Sequence, residues 1–137
     1  MSMTHEYGFG VTLDLPFDEA VARTRAALKD EGFGVLSEID VRATMKEKLG
    51  IDYEPYLILG ACNPQLAHRA LQAEHELGLL LPCNVIVHEH EGKSAVAIVD
   101  PAMMLGVVDN PALRRVADEA KARLERVAAA LGATPAP

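Results

Sequence analysis

"VIVHEHEGKSAVAIVD", residues 85–100, decides the fold. Its halves, Val85–His90 and Ser94–Asp100, are rich in Val, Ile and Ala, and the Glu91-Gly92 pair between them supplies the glycine of a hairpin connection. Two strands joined this way run antiparallel, and the remaining elements have to be arranged around them.

Working back along the chain, "YLILGAC", residues 56–62, is too continuously apolar to present a wet face and reads as a central strand ending at Cys62. Asn63-Pro64 then opens a helix, because Asn is a preferred N-cap and Pro is pre-organised for the first helical position. Leu66, Ala67, Ala70 and Leu71 share one side of that helix, which runs out near Glu74 to Leu77 with Gly78 as its stop. Asn110-Pro111 opens the last helix in the same way, and its face is Leu113, Val116, Ala120, Leu124, Val127 and Leu131, ended by Gly132. Here Asn-Pro occurs with no cysteine nearby, so capping alone explains Asn63 and Pro64.

Nearer the N terminus, Phe9, Val11 and Leu13 alternate with Gly10, Thr12 and Asp14, the period of a half-buried strand. Phe17, Val21, Thr24 and Leu28 form a helical stripe closed by Gly32. Alternation returns at Phe33, Val35, Ile39 and Val41, interrupted at Ser37, and "RATMKEKLG" reads as a short helix closed by Gly50, with Lys46, Glu47 and Lys48 on an exposed face. The expected architecture is α+β, β-α-β-β-α-β-β-α, with one mostly antiparallel sheet of about five strands and helices packed on it. Residues 7–131 form one domain, and residues 1–6 and 132–137 are expected to be flexible.

At 137 residues such a domain needs no metal or disulfide to fold. Half of the residues are hydrophobic, yet there is no Trp and only three Phe and three Tyr, so the core is aliphatic. A net charge of -7 with no basic run argues against a nucleic-acid or anionic-membrane surface. The opening "MSMTHEYGFG" lacks the basic flank and apolar stretch of a signal peptide, and no apolar run is long enough for a membrane span, so a cytoplasmic location is expected. In a reducing compartment the two cysteines, Cys62 and Cys83, are then free thiols, metal ligands or a transient redox couple.

Their relative position depends on the return after the 64–77 helix. A crossover puts them at opposite ends of the sheet, whereas a return to the departure edge gathers Cys62, Cys83 and Asp100 on one edge. The segments "ILGACNP" (58–64), "GLLLPCNV" (78–85) and "VDPAMM" (99–104) closely resemble the domain of unknown function 302 family, a likeness running from about Tyr7 to Leu131. The resemblance implies a TATA-binding-protein-like fold with strands two to five as an antiparallel meander, a homodimer, and no assigned activity. His68 stands where the family pattern has an aromatic and His75 where it has Pro, which argues against either as a catalytic group.

The expected ligand-binding set is Cys62, Asn63, Cys83, Asn84, Asp100 and Met103, around a cavity at that edge. Lying on the N-terminal side of a helix, Cys62 is expected to have a lowered pKa. Two thiolates do not make a zinc site, but Cys62, Cys83, Met103 and Met104 together would suit a soft metal such as Cu(I). Against that, Met103 and Met104 read as core filling, Asp100 equally as a turn former, and His88 and His90, on one strand face, as solvated rather than metal-binding across a dimer. No catalytic residue or cofactor is assigned. The sequence therefore points to a domain binding a small ligand or soft metal near Cys62 and Cys83. The alternatives are a redox enzyme in which Cys62 attacks and Cys83 resolves, and a structural interaction module.

Overall fold

The computed structural model describes residues 2–132. The elements are β1 (Ser2–His5), β2 (Gly8–Leu13), α1 (Phe17–Asp30), β3 (Gly34–Asp40), α2 (Val41–Leu49) and β4 (Tyr56–Cys62). There follow α3 (Pro64–Ala73), a 3-10 turn (His75–Leu80), β5 (Cys83–His90), β6 (Lys93–Val99), α4 (Pro101–Leu105) and α5 (Pro111–Gly132). All strands join one antiparallel sheet in the order β1-β2-β6-β5-β4-β3, so the α+β class and the β3-to-β6 meander agree with expectation.

The β5–β6 hairpin turns at Glu91 and Gly92, both with positive φ (51° and 80°), the pattern of a type I′ connection whose twist matches the strands. Its register, His90 opposite Lys93, then fixes which side chains face the core: Val85, Val87, Val96 and Ile98 are essentially inaccessible. The opposite face carries Asn84, Ile86, His88 and Ala97.

Two apolar clusters result. In the first, α1 and α5 press Leu28, Leu124, Val127 and Leu131 onto the inner face of the sheet. In the second, Leu66, Ala70 and Leu77 meet Leu105, Leu113 and Val116, which joins α3, the 3-10 turn and α4 to the first half of α5. Thus α3 packs chiefly on α5 and on the turn that follows it, rather than on the sheet.

Several expectations need correction. The segment 1–6 is not simply a loose end, because Ser2–His5 pairs with β2, Ser2 opposite Val11. A main-chain ladder forms there without any apolar period in the sequence. Most of the 132–137 tail lies outside the described residues, as does the side chain of His90. Gly32 and Gly50 do close α1 and α2 with φ of 85° and 67°. Gly78 stops no helix: α3 ends at Ala73, and Gly78 lies inside the 3-10 turn. Met103 and Met104 belong to the one-turn helix α4, and Met103 is exposed rather than core filling.

Asn110 does more than cap α5. Its Oδ1 accepts from the Ala112 amide at 3.0 Å, while its Nδ2 donates to Ala73 O at 3.1 Å and Glu74 Oε1 at 3.3 Å, tying the end of α3 to the start of α5. Asn110→Ala should therefore cost about 2 kcal/mol rather than the ~1 kcal/mol of a cap alone, read as a shift in urea midpoint at constant slope. A loss below about 0.5 kcal/mol would mean that the tie is not made in solution.

Candidate functional site

The chain leaves the sheet at Cys62 and comes back at Cys83, one strand away. Ala61 lies directly opposite Cys83 and Gly60 opposite Asn84, so the two cysteines are diagonal neighbours on one edge. Asn63 makes the departure abrupt: its Oδ1 accepts from the Leu66 amide at 3.1 Å and its carbonyl from Ala67 N–H at 2.9 Å, starting α3 at Pro64. The return is the 3-10 turn and Leu81-Pro82, more compact than the extended stretch the sequence suggests.

Between departure and return lies a cavity of about 400 Å³. Phe33, Ala61 and Cys83 supply its floor from the sheet side, and Leu66, Ala70, Leu105, Val116 and Ala120 its wall from α3, α4 and α5. It therefore sits at the seam of the two apolar clusters, where α3 is held off the sheet. Leu36, Ser37 and Gly78, all exposed, mark its mouth. Beside it, a Cβ at Gly60 would collide with the Ser37 hydroxyl and approach Pro82 Cγ at 2.8 Å, so only glycine allows β3 and the returning chain to close over this point.

Of the expected set, Cys62, Asn63 and Cys83 border this cavity. Asn84 does not: successive strand residues face opposite ways, so Cys83 joins the inner core while Asn84 is exposed on the outer face. There Asn84 lines a shallow depression of about 210 Å³ with Tyr7 and Ile86. Met103, on the outer side of α4, is exposed and also lies outside the cavity.

Asp100 is the N-cap of α4. Its Oδ1 accepts from Ala102 N at 2.9 Å and Met103 N at 3.3 Å, and its Oδ2 pairs with Lys121 Nζ at 3.0 Å. Burial on its own would raise its pKa, but the bond from Lys121 and the two amides outweigh burial and hold the carboxyl below its usual range. It anchors α4 to α5 and does not line the cavity.

The thiols run against the expected direction. Burial raises the Cys62 pKa, and burial together with the neighbouring Cys62 pushes Cys83 up to about 11. Burial is the cause at Cys62, and at the start of α3 the Leu66 amide is already taken by Asn63 Oδ1. Both groups are held as neutral thiols at neutral pH, which works against a redox nucleophile. The soft-metal set is not assembled either, because neither Met103 nor Met104 borders the cavity. Among the described residues no three His, Cys, Asp or Glu side chains come together as a metal group. His88 stacks on Tyr56 with ring centroids 5.3 Å apart and lies 3.6 Å from Glu54, away from the cavity.

The cavity wall from α4 and α5 was not legible in the sequence: Pro101, Leu105, Val116 and Ala120 belong to apolar stripes that would serve equally well as plain core. A second hollow of about 380 Å³, at the starts of α1 and α2, mixes Asp18, Asp40 and Arg42 with Phe17 and Leu57 and contains none of the expected residues.

A family model described as domain of unknown function DUF302 matches residues 9–131. Among solved structures, the chain is similar to an uncharacterized conserved protein DUF302 from Bacillus stearothermophilus, with 32% identity and a TM-score of 0.85 over 93% of this chain and 99% of that one. No curated protein matches the chain.

Proposed function

Because the chain belongs to the DUF302 family, whose description assigns no activity, we propose from its own geometry that it is a binding domain for a small molecule held in the cavity beside Cys62 and Cys83. The observation that carries this reading is a half-open apolar cavity of about 400 Å³ at the seam of two apolar clusters, inside the size range of ligand sites. Its mouth is open to solvent, and an apolar guest that displaces loosely held water from such walls gains free energy. The cysteines act as neutral wall atoms, Cys83 deep and Cys62 nearer solvent.

The working unit in this reading is a homodimer. Its support is the outer sheet face, where Ile86 and Ala97 are only half-covered, together with Leu49, Ile51 and Tyr53, exposed at 67%, 45% and 41%. A cytoplasmic setting belongs to the same reading and is supported by two thiols left unpaired on neighbouring strands. No helix among the described residues is long and apolar enough to cross a membrane.

Native mass spectrometry of protein taken from its own host tests the proposal. The expected spectrum shows a dimer carrying a non-covalent small-molecule mass that is absent from the cavity-filling variant Ala70→Leu. Wild type with no such mass, or a bound mass unchanged in Ala70→Leu, would remove the cavity as the binding site.

A further inference from the structure

We infer that the cavity is built for an uncharged, mainly aliphatic molecule; this rests on the cavity being the binding site. Its lining contains no Asp, Glu, Lys, Arg or His. A carboxylate or ammonium seated inside would leave water without a counter-ion, which apolar surroundings penalise strongly. The chain's net charge of -7 adds repulsion against an approaching anion.

Shape and atom type narrow the class further. Phe33 is the one aromatic ring in the lining, and the remaining walls are mostly Leu, Ala and Pro with the two cysteines, a surface that suits a flexible chain rather than a stacked ring. At roughly 30 Å³ per heavy atom the space holds about a dozen of them.

Asn63 is the one polar side chain that the cavity walls bury, at 8% exposed, and its Oδ1 is committed to the Leu66 amide. Among the described residues no buried side-chain polar atom is left without a partner, so the walls ask for no hydrogen bond from a guest.

The test is an amide-shift titration of ¹⁵N-labelled full chain with three probes of equal length: 2-nonanone, nonanoate and nonane. The variant is Ala67→Phe, which places a ring at a half-covered cavity position on α3. The ketone is expected to shift Ala61, Asn63 and Cys83 and to bind at least about tenfold more tightly than nonanoate. Nonane is expected to shift the same amides as the ketone. Ala67→Phe should abolish both.

Nonanoate binding as tightly as the ketone would overturn the uncharged class while leaving the cavity as a site. If no probe shifts those amides, or if Ala67→Phe changes nothing, the cavity reading and this inference fall together.

Discussion

Leu124→Ala will cost about 3 to 5 kcal/mol, the upper part of the range for truncating a buried leucine. Leu124 is fully inaccessible on the inner face of α5, within the cluster that includes Leu28, Val85 and Ile98. Strands on one side and α1 on the other leave the surroundings little freedom to collapse into the vacated space, so the cost of the new void adds to the lost transfer energy. Leu66→Ala offers the contrast. Leu66 already borders open space, so fewer contacts vanish, and its loss should stay near about 2 kcal/mol. Urea midpoints at constant slope measure both. Equal losses would mean that the wall at Leu66 is packed as tightly as the core, and no cavity would be left to occupy.

Raising the pH from about 9 to about 11 will remove on the order of 2 to 3 kcal/mol of stability through Cys83 alone. Burial, with the adjacent Cys62 as second cause, lifts this thiol from 9.0 to about 11. Folding thus favours the protonated form. Below pH 9 the folded and unfolded chains both keep the proton, and the contribution is whole. Between the two values the unfolded chain has released its proton and the folded chain has not, so stability falls by about 1.4 kcal/mol per pH unit until the folded pKa is passed. Tyr56, also raised by burial, slopes the same way, so the measurement is the difference between wild type and Cys83→Ala unfolded across the same pH series. Parallel curves would mean that Cys83 is solvated or already ionised in the folded state.

How much of this was legible in the sequence follows from what each element answers to. The hairpin at Glu91-Gly92 and the stripe of α5 depend on local chemistry and period, and the sequence shows both. The position of Cys62, Asn63 and Cys83 around one hollow follows from turn residues that force the chain out of the sheet and back. Asn84 and Met103 were misplaced because adjacency in sequence was allowed to stand for adjacency in space. One residue along a strand reverses the face, and the single turn after Asp100 leaves Met103 on its outer side. The thiol pKa direction is set by burial, which a local sequence pattern does not show, and the Leu66 amide at the helix start is already engaged by Asn63. The Val116 and Ala120 wall depends on how far α3 stands from the sheet, which no local pattern encodes.

Xenon is the most direct probe of an apolar cavity that can take up a guest, since it enters such spaces without needing any particular chemistry. Amide spectra of the ¹⁵N-labelled chain under xenon pressure should show pressure-dependent shifts concentrated at Ala61, Asn63, Ala70 and Cys83, saturating as the void of about 400 Å³ fills. Shifts confined to the outer depression near Asn84 and Ile86, or a spectrum that does not respond, would contradict the account.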